Sequence, residues 1–253
     1  MATPIIAASI LTADFGNLQR VVRTLEKAGV DRLHLDVMDG HFVPNLTFGA
    51  DVTAALARLT RLPLDLHLMI SEPSRFVDGF VRAGADSITF HVEAPESEAV
   101  KRETLAAIRS AGRAAGLAIS PGTSVSALDP YRALLDIVLV MTVVPGAGGQ
   151  RFMHGEAAKI AEACAWLANA PGRREVHVDG GVNRETAMLT GSLGAGVLVI
   201  GSALFQRGHD TAREVALARA LAAEGGRLAA AGLPADEVVG RRIVAAHDRA
   251  AAR

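Results

Sequence analysis

Short apolar segments rich in β-branched residues alternate with amphipathic helical patterns along the chain, and this alternation limits the possible folds more than any other feature of the sequence. Strands are predicted at residues 5–10, 32–38, 63–70, 87–92, 117–120, 136–143, 175–178 and 197–200. Helices are predicted from about residue 15 and at residues 50–61, 74–83, 97–115, 126–134, 155–169, 184–192 and 209–223. Strict alternation implies parallel strands joined by right-handed crossovers, and eight such units fit a closed barrel better than an open sheet. We therefore predict an α/β fold, a single-domain (β/α)8 TIM barrel over residues 1–232, with residues 233–253 as a helical or frayed extension.

Composition and charge narrow the class of protein. Half of the 253 residues are hydrophobic and only 4% are aromatic, which suits helices packed on parallel strands. A net charge of -1 argues against a nucleic-acid partner and against binding to an acidic membrane surface. No apolar run approaches the roughly 20 residues that span a bilayer, and the first residues do not follow the order of a signal peptide. We expect a cytoplasmic homo-oligomer in which the single Cys164 is an ordinary thiol.

Potential metal ligands lie near the C-terminal ends of three predicted strands, the end at which barrels build their active sites. His34 and Asp36 are two residues apart on an apolar strand, so their side chains point the same way. His67 and Asp179 end two further apolar segments. A hydrogen-bonded core group would explain any one of them alone, but a charged carboxylate in an apolar strand costs roughly several kcal/mol unless a partner compensates it. The group predicts one divalent metal ion per chain, with Zn2+ favoured and Fe2+, Mn2+ or Co2+ as alternatives.

Two further histidines and one long loop are candidate neighbours of these ligands. His177 lies deeper on the strand of Asp179 and is predicted to be a packed core residue. His91, at another strand end, is predicted to support the site or to contact the substrate. The long segment 39–49 is rich in turn-forming residues and is predicted to be an active-site loop.

Asp36 and Asp179 come from well-separated strands and can face opposite sides of a bound substrate. One can remove a proton from a carbon next to a carbonyl while the other returns it on the opposite face, with the metal stabilising the enediolate between the two steps. This chemistry is an epimerisation that needs no redox cofactor. Apolar residues at strand ends would keep water from the enediolate, although plain core packing explains each of them alone: Met38, Met69 and Met141.

Glycines follow each of the last three strands, where barrels commonly bind phosphate through backbone N–H groups and a helix N-terminus, with no basic side chain required. The residues of these loops are Gly146, Ala147, Gly148 and Gly149 after the sixth strand, Gly180 and Gly181 after the seventh, and Gly201 and Ser202 after the eighth. The P-loop pattern is absent from the chain.

Five segments together resemble the ribulose-phosphate 3-epimerase family, and the resemblance extends over about residues 5–206. The segments are 11–15 (LTADF), 34–45 (HLDVMDGHFVPN), 65–69 (DLHLM), 145–150 (PGAGGQ) and 178–182 (VDGGV). The resemblance implies a (β/α)8 barrel, the metal and acid/base roles given above, and interconversion of ribulose 5-phosphate and xylulose 5-phosphate. It also implies that Ser9 and His67 lie near this small sugar phosphate and that the three glycine loops hold its phosphate.

The chain departs from the family at the phosphate side. Val144 and Ala147 stand where the family usually has Asn and Phe, and Ser120 stands where it usually has Asn. A 3-epimerase for a longer ketose phosphate, such as allulose 6-phosphate, is therefore the alternative within the enzymes. A non-catalytic sugar-phosphate-binding barrel is a further alternative, which the intact pair of Asp36 and Asp179 disfavours.

Overall fold

The computed structural model describes residues 3–168, 174–206, 208 and 210–233. Eight parallel strands close into a barrel in chain order: β1 Ile5–Ser9, β2 Arg32–Met38, β3 Leu64–Met69, β4 Ser87–His91, β5 Ala114–Ile119, β6 Ile137–Met141, β7 Glu175–Asp179 and β8 Val197–Ile200. Closure is made by β8 pairing with β1, where Ile5 lies opposite Val197. The predicted (β/α)8 barrel is confirmed, while the extension predicted at residues 233–253 lies, apart from residue 233, outside the described residues.

Helices connect the strands around the outside of the barrel. They are α1 Leu18–Ala28, α2 Ala50–Leu59, α3 Val77–Ala83, α4 Glu98–Ser110, α5 Ala158–Leu167, α6 Ala187–Ser192 and α7 Thr211–Ala230. Short 3-10 helices precede α1, α3 and α5, which begin about three residues later than the sequence pattern indicated. Helix α6 begins three residues later than predicted, after a turn, and α7 continues past the predicted end at residue 223. Within the described part of the chain, no helix has the length and apolar character needed to cross a membrane.

The helix predicted at 97–115 is wrong at its C-terminal end. Helix α4 ends at Ser110, and Gly112 then takes a φ of 73°, which turns the chain into β5. The following alanines suggested a helix by propensity, but tertiary packing demands small residues in this strand. A Cβ added at Gly116 would lie 2.3 Å from Oγ1 of Thr89 on the neighbouring strand.

The element between β5 and β6 also differs from its prediction as an α-helix at 126–134. It is a 3-10 helix, Val125–Leu134, capped by the Ser124 side chain, which accepts a hydrogen bond from the N–H of Ser126. Pro130 lies inside it and has no N–H to donate, and its ring would clash with the carbonyl four residues earlier in an α-helix.

The buried apolar side chains form three clusters. The largest cluster fills the layer between strands and helices, and the second fills the interior of the barrel with side chains that include Ala7, Ala118, Leu139 and Val199. The third consists of Met38, Val43 and Met69, at the C-terminal ends of β2 and β3 and in the loop after β2. The same strand faces that carry these residues also carry the polar groups of β2, β3 and β7, because paired residues of parallel neighbours share a face.

Cys164 on α5 is half-buried, and burial raises the pKa of its thiol to about 11. Because the thiolate is the reactive form, this agrees with the expectation of an ordinary thiol.

Candidate metal centre and active site

The pairing register of β2 with β3 brings the first ligands together. His34 lies opposite Asp65, and Asp36 lies opposite His67. Asp179 reaches the same point from the end of β7, so that one ligand atom from each of His34, Asp36, His67 and Asp179 lies within 4.8 Å of the others. The structure thus gathers in one centre the four side chains that the sequence proposed as ligands.

The surroundings of His34 show how the centre fits a metal ion. Its Nδ1 lies 2.8 Å from Oδ2 of Asp65, a carboxylate oxygen that can only accept, so Nδ1 carries the proton. The other ring nitrogen, Nε2, is buried and has no hydrogen-bond partner. It faces Oδ1 of Asp36 at 3.5 Å and Oδ2 of Asp179 at 3.8 Å. A buried imidazole nitrogen that has no hydrogen-bond partner and is aimed at two carboxylates fits a divalent cation, and this group of residues could hold one.

Burial and charge oppose each other in this centre. Burial alone would lower the pKa of His34, yet the Asp36 and Asp65 carboxylates raise it well above its usual value. Burial would likewise raise the pKa of Asp36, but the charge and hydrogen bonds of His34 and His67 bring it well below the ordinary range. The centre therefore keeps the Asp36 carboxylate ionised and attracts positive charge. Protons and a metal ion compete for the same imidazole nitrogens.

The two aspartates have different surroundings. Asp36 Oδ2 accepts a hydrogen bond from Ser9 Oγ at 2.6 Å, while its Oδ1 lies 3.1 Å from Nδ1 of His67. The Asp36 side chain is 4% exposed. Asp179 is 15% exposed, and its Oδ2 lies 3.5 Å from the same nitrogen of His67. Asp179 is thus the more open of the two towards solvent.

A cavity of about 240 Å³ lies over the centre. Most of the residues predicted on the substrate side line this cavity: Ser9, Asp36, Met38, Met69, Met141, Gly146, Ala147, Gly148, Gly149, Asp179, Gly180, Gly181, Gly201 and Ser202. His34 and His67 are not part of this lining and are at most 1% exposed. The two histidines therefore lie buried beneath the cavity, whereas the two aspartates line the cavity and form its floor.

Close approach explains two of the glycines in the cavity wall. A Cβ on Gly181 would lie 2.3 Å from the backbone nitrogen of Phe152, and its φ of 66° also disfavours other residues. A Cβ on Gly148 would lie 2.5 Å from Cγ2 of Thr12. The loops after β6 and β7 thus pack against one another and against the segment after β1, and their main chains form one side of the cavity.

Sequence reasoning missed several polar residues of this site. The cavity is also lined by Thr12, Arg151, Asn183 and Gln206. Arg151 directly follows the glycine loop after β6, a position that could have suggested a basic side chain near the phosphate. Asp65 was missed as well, although it is a carboxylate on an apolar strand and the argument applied to Asp36 covers it.

Asp65 lies at the centre of a second group of buried polar residues. It accepts a hydrogen bond from the Ser87 hydroxyl and one from His34, and its Oδ2 lies 3.5 Å from Nδ1 of His177. His177 is buried, as expected of a core residue, but its Nε2 lies 3.1 Å from Oε2 of Glu175. His177 therefore belongs to a charged network rather than to apolar packing.

A closed parallel barrel with titratable side chains at the C-terminal ends of its strands is the arrangement of the (β/α)8-barrel enzymes. Comparison with protein families is more specific, because the model of the Ribulose-phosphate 3 epimerase family matches residues 5–205. The chain belongs to this family, which confirms the resemblance found in the sequence.

Individual proteins agree with this assignment. The chain is 45% identical over 202 residues to the ribulose-phosphate 3-epimerase of Bacillus subtilis (strain 168), and the match covers 79% of this chain and 91% of that protein. It is 43% identical over 210 residues to the protein of that name in Rhodobacter capsulatus, with 83% and 90% covered. Among solved structures, 3-hexulose-6-phosphate synthase from Salmonella typhimurium has a TM-score of 0.63 at 16% identity, covering 87% of this chain and 99% of that one. This last likeness concerns the fold alone.

Proposed function

We propose that the protein is a metal-dependent 3-epimerase that interconverts D-ribulose 5-phosphate and D-xylulose 5-phosphate by proton transfer between two aspartates. The observation that carries the proposal is the convergence of Asp36 from β2 and Asp179 from β7 on one point in the floor of the cavity. The names of the relatives at 43–45% identity support the substrate and the reaction.

The four converging side chains His34, Asp36, His67 and Asp179 would hold the cation. When bound, a divalent cation supplies positive charge that stabilises the oxygens of an enediolate. The chain's own contribution is to fix the ligands before binding. Asp65 holds a proton of His34 on Nδ1, so Nε2, which is buried and has no hydrogen-bond partner, is the nitrogen that would bind the cation.

The contacts of Asp36 suggest that its two carboxylate oxygens have different roles. Oδ1 faces the imidazole of His67, whereas Oδ2 faces the Ser9 hydroxyl, and both residues Ser9 and Asp36 line the cavity. We assign Oδ1 to the cation and Oδ2 to the substrate proton. Asp179 directs Oδ2 at both histidines, so the same reasoning assigns its Oδ1 to the proton.

The phosphate is proposed to bind at the side of the cavity formed by the loops after β6, β7 and β8. The close-packed glycines leave main chain, rather than side chains, facing that space. Arg151 lines the same cavity and is exposed, and it adds a positive charge that a phosphate dianion would attract.

The decisive experiment is to incubate the zinc-loaded protein with D-ribulose 5-phosphate and to follow the formation of D-xylulose 5-phosphate. We expect the reaction to run in both directions. Protein that binds the sugar phosphate but forms no epimer would favour the non-catalytic barrel. The cytoplasmic location and the homo-oligomer expected from the sequence stay predictions, and sedimentation analysis of the purified protein would test the second.

A further inference from the structure

The ring of His67 lies between two different surroundings. Its Nδ1 faces the candidate metal centre, 3.1 Å from Oδ1 of Asp36 and 3.5 Å from Oδ2 of Asp179. Its Nε2 faces away from the centre and lies 2.8 Å from Nε2 of His91. Two imidazole nitrogens at this distance form a hydrogen bond only if one carries a proton and the other presents a lone pair.

The second nitrogen of His91 decides which of the two carries the proton. His91 Nδ1 lies 3.0 Å from Oε2 of Glu93. The other oxygen of Glu93, Oε1, accepts a hydrogen bond from the backbone N–H of Ser120 at 2.8 Å. The Ser120 hydroxyl lies 3.1 Å from the same nitrogen and can accept or donate, but an ionised carboxylate only accepts. The proton of a neutral His91 that satisfies Glu93 therefore lies on Nδ1, and its Nε2 is bare. The proton between the two rings therefore belongs to His67 Nε2.

We infer that His91 and Glu93 are positioning residues for the metal centre: the hydrogen-bonded chain from Glu93 through His91 fixes the tautomer of His67 with its Nδ1 lone pair directed at the cation. This inference rests on the proposed function, in which His67 is a metal ligand.

The alternative tautomer of His67 shows why the hydrogen-bonded chain through His91 is needed. With its proton on Nδ1, His67 would donate to Oδ1 of Asp36 at 3.1 Å, and this nitrogen could no longer bind a metal. In that tautomer, Nε2 of His67 and Nε2 of His91 would both lack a proton while lying 2.8 Å apart. Both rings are 0% exposed, so water cannot easily relieve the clash of lone pairs. His91 thus disfavours the tautomer that Asp36 would otherwise stabilise.

Substitutions at His91 test the inference with the metal alone as the probe. In His91→Leu, the N–H of His67 has no acceptor, and we expect the affinity for Zn2+ to fall about 10–100-fold. In His91→Gln, the amide oxygen can accept that N–H, and we expect most of the affinity to return. Thr89→Val is the matched control, because Thr89 is buried on the same strand and its Oγ1 has no hydrogen-bond partner. Its affinity for Zn2+ should equal that of the unchanged protein.

A second measurement needs no variant. Nitrogen-15 spectra of the histidine rings in the zinc-loaded protein distinguish protonated from bare nitrogens. We expect protons on Nδ1 of His91 and on Nε2 of His67, and a proton on Nε2 of His91 would overturn the inference. This readout keeps the inference testable even if His91→Leu fails to fold.

The outcomes separate this inference from the proposed function. If His91→Leu folds and binds Zn2+ as tightly as the unchanged protein, the positioning role is overturned and the metal centre stands. If the unchanged protein binds no divalent metal, the metal centre and the inference fail together. Loss of affinity in His91→Leu with recovery in His91→Gln supports the inference.

Discussion

Arg32 and Glu175 join the N-terminal ends of β2 and β7 by a bidentate ion pair, with Nη1 to Oε2 at 2.7 Å and Nη2 to Oε1 at 2.8 Å. The two strands are not neighbours in the barrel, so the pair bridges its interior. Through Glu175 the pair contacts His177, and through Asp65 this network reaches His34 in the candidate metal centre. The end of the barrel away from the cavity is therefore tied electrostatically to the site.

Replacing Glu175 with glutamine should destabilise the protein. The change leaves the half-buried guanidinium of Arg32 without its carboxylate, and we expect the free energy of unfolding to fall by about 2 kcal/mol. Denaturant unfolding near neutral pH would measure this. Glu224→Gln is the control, because Glu224 pairs with Arg227 on the surface of α7 and such pairs contribute about 0–1 kcal/mol. Equal effects of the two substitutions would contradict a special role for the interior pair.

The same pair should make stability depend on pH. Burial raises the pKa of Glu175, but the hydrogen bonds and charges of His177 and Arg32 outweigh it and lower this pKa to about 2. Because the folded pKa lies below that of the unfolded chain, about 4.3, the stabilisation is present above pH 4.3 and is lost as the pH falls towards 2. The difference in melting temperature between the unchanged protein and Glu175→Gln should shrink over that interval. A difference that stays constant from pH 5 to pH 2.5 would rule out this linkage.

Asparagine substitutions test the acid/base roles. Asp179→Asn and Asp36→Asn should each lower kcat by at least about 10²-fold, because an amide can neither take up nor return the proton. Their circular dichroism should match that of the unchanged protein, and Asp51→Asn, on the exposed face of α2, should keep full activity. Turnover in deuterium oxide should place deuterium at C3 of the sugar. Inversion without any exchange at C3 would contradict transfer through two carboxylates, and loss of folding would favour structural aspartates.

Metal removal tests the centre itself. Treatment with a chelator should abolish activity, and one divalent ion per chain should restore it, because four side chains converge on one point and the enediolate requires positive charge. His34→Ala and His67→Ala should each weaken metal binding by removing a ligand. Elemental analysis alongside the assay decides the matter, since full activity in metal-free protein would leave the aspartates to act without a cation.

Local patterns in the sequence were sufficient to predict the bounds of a strand where that strand is apolar and bounded by turn residues. The predicted bounds of β2 and β8 equal those of the structure, and the alternation of polar and apolar residues on β2 identified His34 and Asp36. The pattern failed at β5, where alanine propensity favoured a helix but contact with the side chains of its neighbours required small residues in a strand.

The side chains that contact the candidate metal ligands could not be predicted from the sequence, for a different reason. The contact between His67 and His91 depends on ring orientations across two strands, which no residue spacing encodes. His91 was suspected only because it stands at a strand end. The ion pair of Arg32 and Glu175 joins residues 143 positions apart, and only the closure of the barrel brings them together.

Two of the three departures from the family, Val144 and Ala147, lie in the loop after β6, and side-chain hydrogen bonds hold the main chain of this loop. Gln150 Nε2 donates to the carbonyl oxygens of Val144 at 2.7 Å and Ala147 at 2.8 Å, and Asn45 Nδ2 donates to that of Gly146 at 3.2 Å. The Val144 side chain is 58% exposed and has no group that could hydrogen-bond to a substrate. Ala147 lines the cavity but covers little of it. The main chain of the loop is therefore ordered, while its side chains offer a substrate few contacts.

Restoring the family residues should improve substrate binding more than the chemical step. In the double variant Val144→Asn with Ala147→Phe, an amide can hydrogen-bond and a phenyl ring can cover the closed site, so we expect a lower KM for ribulose 5-phosphate with little change in kcat. The improvement should be smaller for allulose 6-phosphate if the five-carbon sugar is the native substrate. Measuring kcat/KM for both sugars before and after the double substitution decides between the two epimerases. A gain confined to the six-carbon substrate would favour the alternative, and an unchanged kcat/KM for both would mean that the loop side chains do not select the substrate.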